Sequence, residues 1–305
     1  MKKNNCFITG GSGLLGSSWL FHLKDKYEVF SSENKKKINL DNINFCKIDL
    51  LSRFELFNLL NKIKPCILIH TAALSNVEKC ELNQDQALKV NVEITKNIID
   101  VCTKLNIKII YISTDHLFDG TQKYVNENEH KKPLNFYANS KDLAEQLIIK
   151  NVEKYLIIRS NFFGWGTSYR KSFSDFIINN LRNNVQVNLF EDVYFTPIIF
   201  SELFEKIDML VKYNKNGIYN IVGNERLSKY EFGLKLSNIF ELNNKLINKI
   251  SIKDMKNLVI RPLDMSLSNK KYITELNDNF YDLEYNINLL KISENEKTTR
   301  FIRCL

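Results

Sequence analysis

Thr9-Gly10-Gly11-Ser12-Gly13-Leu14-Leu15-Gly16 stands between an apolar run, Cys6 to Thr9, and an amphipathic stretch from Leu14 to Lys24. The first reads as a buried strand and the second as a helix. Glycines recur three residues apart at Gly10, Gly13 and Gly16. Gly10 permits a tight turn, Gly13 lets a pyrophosphate approach the backbone, and Gly16 lets helix and strand pack closely. The helix N-terminus then turns unpaired N–H groups toward the phosphates. Gly10, Ser12, Gly13, Leu14, Leu15 and Gly16 therefore form an expected dinucleotide site. The strand–turn–helix setting favours that reading over a glycine-rich turn with no ligand.

Outward from this turn, apolar runs alternate with helical patterns. Further strands are expected at Tyr27–Phe30, Phe45–Asp49, Cys66–His70, Ile107–Ser113 and Tyr155–Ser160. Helices are expected at Ser52–Ile63, Gln84–Leu105 and Leu134–Lys150. Strands that are apolar throughout and joined by helices imply a parallel sheet covered on both faces, the doubly wound α/β Rossmann fold. After Ser160 the rhythm changes to segments rich in Phe, Asn and Tyr, with a helix at Ser201–Lys212. Residues 1–160 are expected to form the dinucleotide-binding domain. Residues 161–305 are expected to form mainly a smaller, substrate-binding C-terminal lobe that returns one strand, about 218–222, to the sheet.

The 305 residues, 44% hydrophobic, suffice for a large core plus a smaller lobe. The net charge of +8 comes from Lys residues scattered among Asn and Glu, with one short run at Lys35-Lys36-Lys37. It reads as a solvated surface, and no nucleic-acid partner is expected. The six cysteines, Cys6, Cys46, Cys66, Cys80, Cys102 and Cys304, fit no zinc or redox spacing. No His or Cys ligands group together, so no metal is expected. No signal-peptide core and no run near ~20 apolar residues occurs, so no membrane partner is expected and the cytoplasm is the expected compartment.

The second strand, ending at Phe30, is followed by Ser31-Ser32, with Glu33 and then Lys35 to Lys37 later. Hydroxyls and cations suit a 2′-phosphate, whereas NAD sites place a carboxylate at this strand end. NADPH is the expected cofactor, with NADH possible; an exposed polar loop is the plainer reading of the Lys run. Asp49-Leu50 can meet the adenine, or Asp49 can cap the next helix. In Tyr137-Ala138-Asn139-Ser140-Lys141, Tyr and Lys four apart share a helix face. The ammonium is expected to lower the phenol pKa and make Tyr137 a proton donor and acceptor near neutrality. A solvated helix face is the alternative, but Ser113-Thr114-Asp115 at the end of the fifth strand offers a hydroxyl to share the bond to a carbonyl oxygen.

Several stretches together resemble the extended short-chain dehydrogenase/reductase family, and within it the dTDP-4-dehydrorhamnose reductase branch. They are Ser113-Thr114-Asp115-His116-Leu117-Phe118-Asp119-Gly120, the loop from His70 to Glu81, Val90-Asn91, Pro133 to Lys141, Thr196-Pro197 and Arg261-Pro262-Leu263-Asp264-Met265-Ser266-Leu267. The resemblance implies NADPH-dependent reduction of a nucleotide-linked 4-keto-6-deoxy sugar, in deoxysugar synthesis for surface polysaccharide. It implies that Thr114 and Tyr137 bind the keto oxygen, that Tyr137 gives the proton, and that Lys141 holds the nicotinamide ribose. Ser31, Asp49, Leu50, Ala72, Ala73, Leu74 and Asn91 would line the cofactor. Glu78, His116, Phe162 and Arg261 would line the sugar nucleotide. A homodimer is one assembly it allows.

The chain departs from the branch at His116, where Tyr is usual, at Phe162, where Trp is usual, and at Ala138, where Gly is usual. These are sugar-facing or neighbouring positions, so they bear on which sugar is bound. His22 and His130 read as solvated or packed side chains, and Trp165 either lines the sugar pocket or packs in its loop. Two other readings share the fold: a non-catalytic regulatory subunit of the methionine adenosyltransferase beta type, and a sugar-nucleotide epimerase or dehydratase. The intact Thr114, Tyr137 and Lys141 favour an enzyme, and the absence of Glu after Asp115 argues against a dehydratase.

Overall fold

Asn5–Thr9 forms β1, whose Cys6, Phe7 and Ile8 are fully buried, as a strand covered on both faces must be. The structure, a computed structural model, describes residues 3–33 and 38–305, so the Lys35 to Lys37 run lies outside the described residues. Helix α1, Leu14–Leu23, follows the glycine turn. Then come β2, Glu28–Glu33; β3, Ile43–Lys47; α2, Arg53–Ile63; and β4, Ile67–His70. Short helices α3, Val77–Leu82, and α4, Gln84–Leu88, lead through a π-helical turn, Lys89–Glu93, into α5, Ile94–Leu105. β5, Lys108–Ile112; α6, Phe136–Asn151; and β6, Tyr155–Arg159, complete this series.

The central sheet has seven strands in the order Gly217–Asn220, β6, β5, β4, β1, β2, β3. β1 through β6 pair in parallel. The chain leaves β1 toward β2 and β3, then crosses back to place β4 on the other side of β1. That reversal opens a crevice at the carboxyl ends of β1 and β4, where Thr9 stands opposite His70. Phe7, Leu56, Leu60, Leu68, Ile98, Cys102, Ile109 and Ile148 form one core around these elements.

By compactness the chain divides into two units. The first comprises Met1–Leu117, Pro133–Ile158 and Leu210–Ile218; the second comprises Phe118–Lys132, Arg159–Met209 and Tyr219–Leu305. The second has its own core of Phe163, Trp165, Ile177, Leu189, Phe195, Phe232 and Ile287. Two of its helices, Phe173–Arg182 and Lys229–Ile239, start at Ser–Asp and Ser–Glu capping boxes. Within it the Asp119-Gly120 turn packs on the Arg261 motif: a Cβ on Gly120, whose φ is +78°, would meet Leu263 N at 2.7 Å.

Several expectations are corrected. β2 does not end at Phe30 but runs through Ser31 and Ser32 to Glu33, because both serines are buried and pair with Phe45 and Cys46 of β3. The residue that closes the strand is therefore a carboxylate. β3 stops at Lys47, leaving Asp49 in the following turn. The helix expected over 84–105 is interrupted by the π turn around Asn91. Trp165 packs in its core: its Nε1 donates to Leu290 O at 2.9 Å, its ring meets Phe240 edge-on at 6.0 Å, and it is 4% exposed.

Candidate active site

The glycine turn is held by contacts that leave no room for larger residues. Gly10 has φ +75°, and a Cβ there would fall 2.8 Å from Ala72 N. Gly13 N donates to Gly10 O at 2.8 Å, and a Cβ on Gly16 would sit 2.2 Å from that same oxygen. Gly13 is the N-cap of α1 and supplies no side chain to its first N–H groups; Leu14 and Leu15 begin the helix. Ser12 lies between Gly11 and Gly13 in this turn. The loop after β4 is tied to it: Thr71 Oγ1 donates to Thr9 O at 2.6 Å, and Ala72 N donates to Thr9 Oγ1 at 3.3 Å. Gly10 N donates to Ser32 Oγ at 3.3 Å, whereas Ser31 is fully buried beneath Gly11. Asp49 does not cap α2, since Ser52 accepts from Glu55 N; Asp49 Oδ1 instead accepts from Leu51 N at 2.9 Å, next to Leu50.

The π turn presents Asn91 inward, as such insertions in helices often do at functional sites. Its Oδ1 accepts from Leu74 N at 2.8 Å, and its Nδ2 donates to Leu74 O at 3.1 Å and to Ser140 Oγ at 2.9 Å. One buried amide thus fixes the Ala72-Ala73-Leu74 loop against the helix that carries Tyr137. That helix, α6, starts at Asn135, whose side chain accepts from Ala138 N at 2.9 Å, while Glu81 of α3 accepts from Phe136 N at 2.9 Å.

Tyr137, partly buried, is hydrogen-bonded to Thr114 at the end of β5. Thr114 Oγ1 donates to Asp115 Oδ1 at 3.3 Å and accepts from His116 N at 3.2 Å. The His116 ring meets Tyr137 edge-on at 5.8 Å, and its Nε2 lies 4.0 Å from Asp115 Oδ1. Lys141, 3% exposed, donates from Nζ to Ile112 O at 2.7 Å and lies 4.0 Å above the Tyr111 ring. Burial pushes the Tyr137 phenol up to about 12, against the lowering pull of the Thr114 bond. This corrects the expected downward shift from Lys141, whose ammonium is engaged by a carbonyl and a ring beneath the site. Burial likewise pulls Lys141 down to about 7. Tyr137 is therefore protonated through the neutral range, the state an acid requires.

The structure brings Gly10, Ala72, Asn91, Thr114, Tyr137 and Lys141 together in the first unit, where Glu78 on α3 and His116 also lie. Phe162, packed on Phe200 at 5.5 Å, and Arg261, whose Nε donates to Val259 O at 3.4 Å, belong to the second unit.

His70, Tyr111 and Glu145 were not singled out from the sequence. Their apolar neighbours make them read as core, and only the spacing of Glu145, four residues beyond Lys141, offered a signal. His70 is 1% exposed, with Nδ1 2.7 Å from Thr9 Oγ1 and Nε2 3.0 Å from Thr95 Oγ1. Burial first, and the Lys141 charge second, hold it down to about 3 from 6.5. The unfolded chain takes up this proton near pH 6.5, while the folded chain refuses it until about pH 3. Stability should therefore fall as pH drops through that window. Urea melts between pH 7.5 and pH 4 on wild type and His70→Asn test this. The wild-type slope should be steeper, and equal slopes would sink the idea.

The RmlD substrate binding domain family matches residues 4–290. The chain is 28% identical over 280 residues to a dTDP-4-dehydrorhamnose reductase of Aggregatibacter actinomycetemcomitans, covering 85% of this chain and 89% of the other. It is 24% identical over 259 residues to methionine adenosyltransferase 2 subunit beta of Bos taurus, covering 80% and 74%. Its fold is similar to the crystal structure of a Bacillus anthracis dTDP-4-dehydrorhamnose reductase in complex with NADP, with a TM-score of 0.86, 22% identity and coverage of 95% and 99%.

Proposed function

The chain belongs to the RmlD substrate binding domain family, and from that premise we propose that it is an NADPH-dependent reductase of a nucleotide-linked 4-keto-6-deoxy sugar. The observation that carries this reading is the set of Thr114, Tyr137 and Lys141, whose helix is tied through Asn91 and the Ala72 to Leu74 loop to the glycine turn. The 28% identical relative named as a dTDP-4-dehydrorhamnose reductase supports the substrate class. The second unit, with Phe162 and Arg261, is the part assigned to the sugar nucleotide. The six cysteines, all free, suit the cytoplasm. Among the described residues no helix is long and apolar enough to cross a membrane.

The turn fits a dinucleotide, because its backbone comes close where only glycine permits it and the first turn of α1 is left without a side-chain cap. Bound there, the nicotinamide supplies the hydride. Lys141 holds the nicotinamide ribose, and Asn91 keeps the Ala72 to Leu74 loop in register along the cofactor. Thr114 hydrogen-bonds the keto oxygen and Tyr137 delivers a proton to it as negative charge develops. Glu33, closing β2, stands where NAD sites place the carboxylate for the ribose hydroxyls, which supports NADH as a second cofactor. The NADP bound by the structural relative supports NADPH as the first.

The test is NADPH oxidation with a panel of nucleotide-linked keto sugars and with free sugars. Oxidation should occur with a nucleotide-linked 4-keto-6-deoxy sugar and not with free sugars. Calorimetric titration should show tighter NADPH than NADH binding, and Glu33→Gln should widen the ratio. Binding without turnover across the whole panel would favour the reading as a non-catalytic subunit of the methionine adenosyltransferase beta type.

A further inference from the structure

Glu145 lies one helical turn beyond Lys141 and two beyond Tyr137, on the inward face of α6. It is 0% exposed, and Lys141 is 3% exposed. A buried carboxylate and a buried ammonium are each costly alone, and the cost is offset when they are paired and hydrogen-bonded. The Lys141 ammonium already has the Ile112 carbonyl and the Tyr111 ring. Neither carries a formal negative charge. Among the described residues, His70 from β4 feels the Lys141 charge and Tyr111 from β5 feels that of Glu145; Cys80 from α3 faces Tyr137, Cys102 from α5 shares a core with Ala144 and Ile148, and Asp142 lies on α6 itself. Burial holds His70 neutral and raises the Tyr111 phenol and both thiols. Asp142 accepts from Gln146 Nε2 at 2.9 Å. Glu145 is the carboxylate whose charge Lys141 feels, against the pull of its own burial.

We infer that Glu145 is a positioning residue for the reduction: its buried carboxylate, one turn along α6, keeps the Lys141 ammonium charged and in place between Ile112 O and the Tyr111 ring. This rests on the reading that Lys141 serves the cofactor. Glu145 is placed to act on the cofactor through Lys141, and its charge also raises the Tyr111 phenol on which the ammonium rests. Its removal should therefore move how cofactor binding depends on pH, which a purely structural role would not.

The experiment is calorimetric NADPH binding to the full chain from pH 6 to 9, for wild type, Glu145→Gln and Glu145→Asp, with thermal melts of each. Wild-type affinity should fall as pH rises through about 7, where Lys141 loses its proton. In Glu145→Gln the fall should begin at least about one pH unit lower, so that binding at pH 7 is weaker by at least about fivefold, the effect of removing one close opposite charge. Glu145→Asp should restore part of it. A Glu145→Gln protein that melts like wild type and keeps its pH profile would overturn the inference.

If Glu145→Gln is too unstable for binding to be measured, the double variant Lys141→Met/Glu145→Leu decides the matter. Removing both charges leaves no buried charge unpaired, so the double variant should melt above Glu145→Gln. A double variant no more stable than Glu145→Gln would overturn the pairing. A wild type that binds no dinucleotide overturns the cofactor reading instead, and the melts still decide the pair.

Discussion

Replacing Tyr137 by Phe is expected to lower kcat by at least about 100-fold, the lower bound for positioned acid catalysis, and to leave cofactor affinity nearly unchanged. Hydride arrival puts negative charge on the keto oxygen, and that oxygen needs a proton. Tyr137 combines a hydrogen bond to Thr114 with a position one turn before Lys141 on α6. Because burial holds its phenol up at about 12, the hydroxyl carries its proton at neutral pH and can donate it. Phe keeps the ring and its edge-on contact with His116 but removes that proton. The glycine turn, Asn91 and Lys141 are untouched, so NADPH titration should give a wild-type Kd. Near wild-type turnover on the true nucleotide sugar would remove Tyr137 from the mechanism and move the proton to another group.

The second large effect is expected from Gly16→Ala. Its Cβ would lie 2.2 Å from Gly10 O and 2.9 Å from both Gly10 C and Gly11 Cα, all backbone atoms with no rotamer to yield. Either α1 or the turn must move. Overpacking of this kind costs about 1–3 kcal/mol, enough to lower Tm by several degrees in a chain of this size. The greater effect falls on binding, because displacing the turn carries the Gly10 and Gly13 backbone away from the pyrophosphate. A shift of about 1 Å at a positioned site can cost about 100-fold, so NADPH affinity should fall by at least about tenfold. The same turn holds Ala72, so the damage should spread to the loop after β4. Titration and a melting curve on one preparation check both effects; unchanged Kd and Tm would show that the close packing is not required.

These two effects differ in kind. Tyr137→Phe removes a group that matters only once the reaction begins, and its loss should appear in kcat alone. Gly16→Ala disturbs the frame that binds the cofactor before any chemistry, and its loss should appear in Kd and in stability. Lys141 stands between them: it belongs to the frame through Ile112, and in the proposed mechanism it serves the chemistry through the ribose.

Local pattern alone pointed to a parallel sheet, because apolar runs joined mostly by helical stretches are buried on both faces of such a sheet. It also determined the glycine turn, whose function depends on the absence of side chains at fixed spacing, and the Tyr137–Lys141 pair, whose helical spacing is local. The end of β2 was not legible. Ser31, Ser32 and Glu33 are poor strand formers, and only pairing with Phe45, Cys46 and Lys47 keeps the strand going to the carboxylate. The direction of the Tyr137 shift was also a tertiary matter: the sequence shows that a cation is near, whereas burial, which outweighs it, depends on everything packed around the ring. The π turn at Asn91, the burial of Trp165, and the enclosure of His70 and Glu145 belong to the same class. Each depends on residues distant in sequence meeting at one point, and a side chain's energy is set by those neighbours rather than by the residues on either side of it.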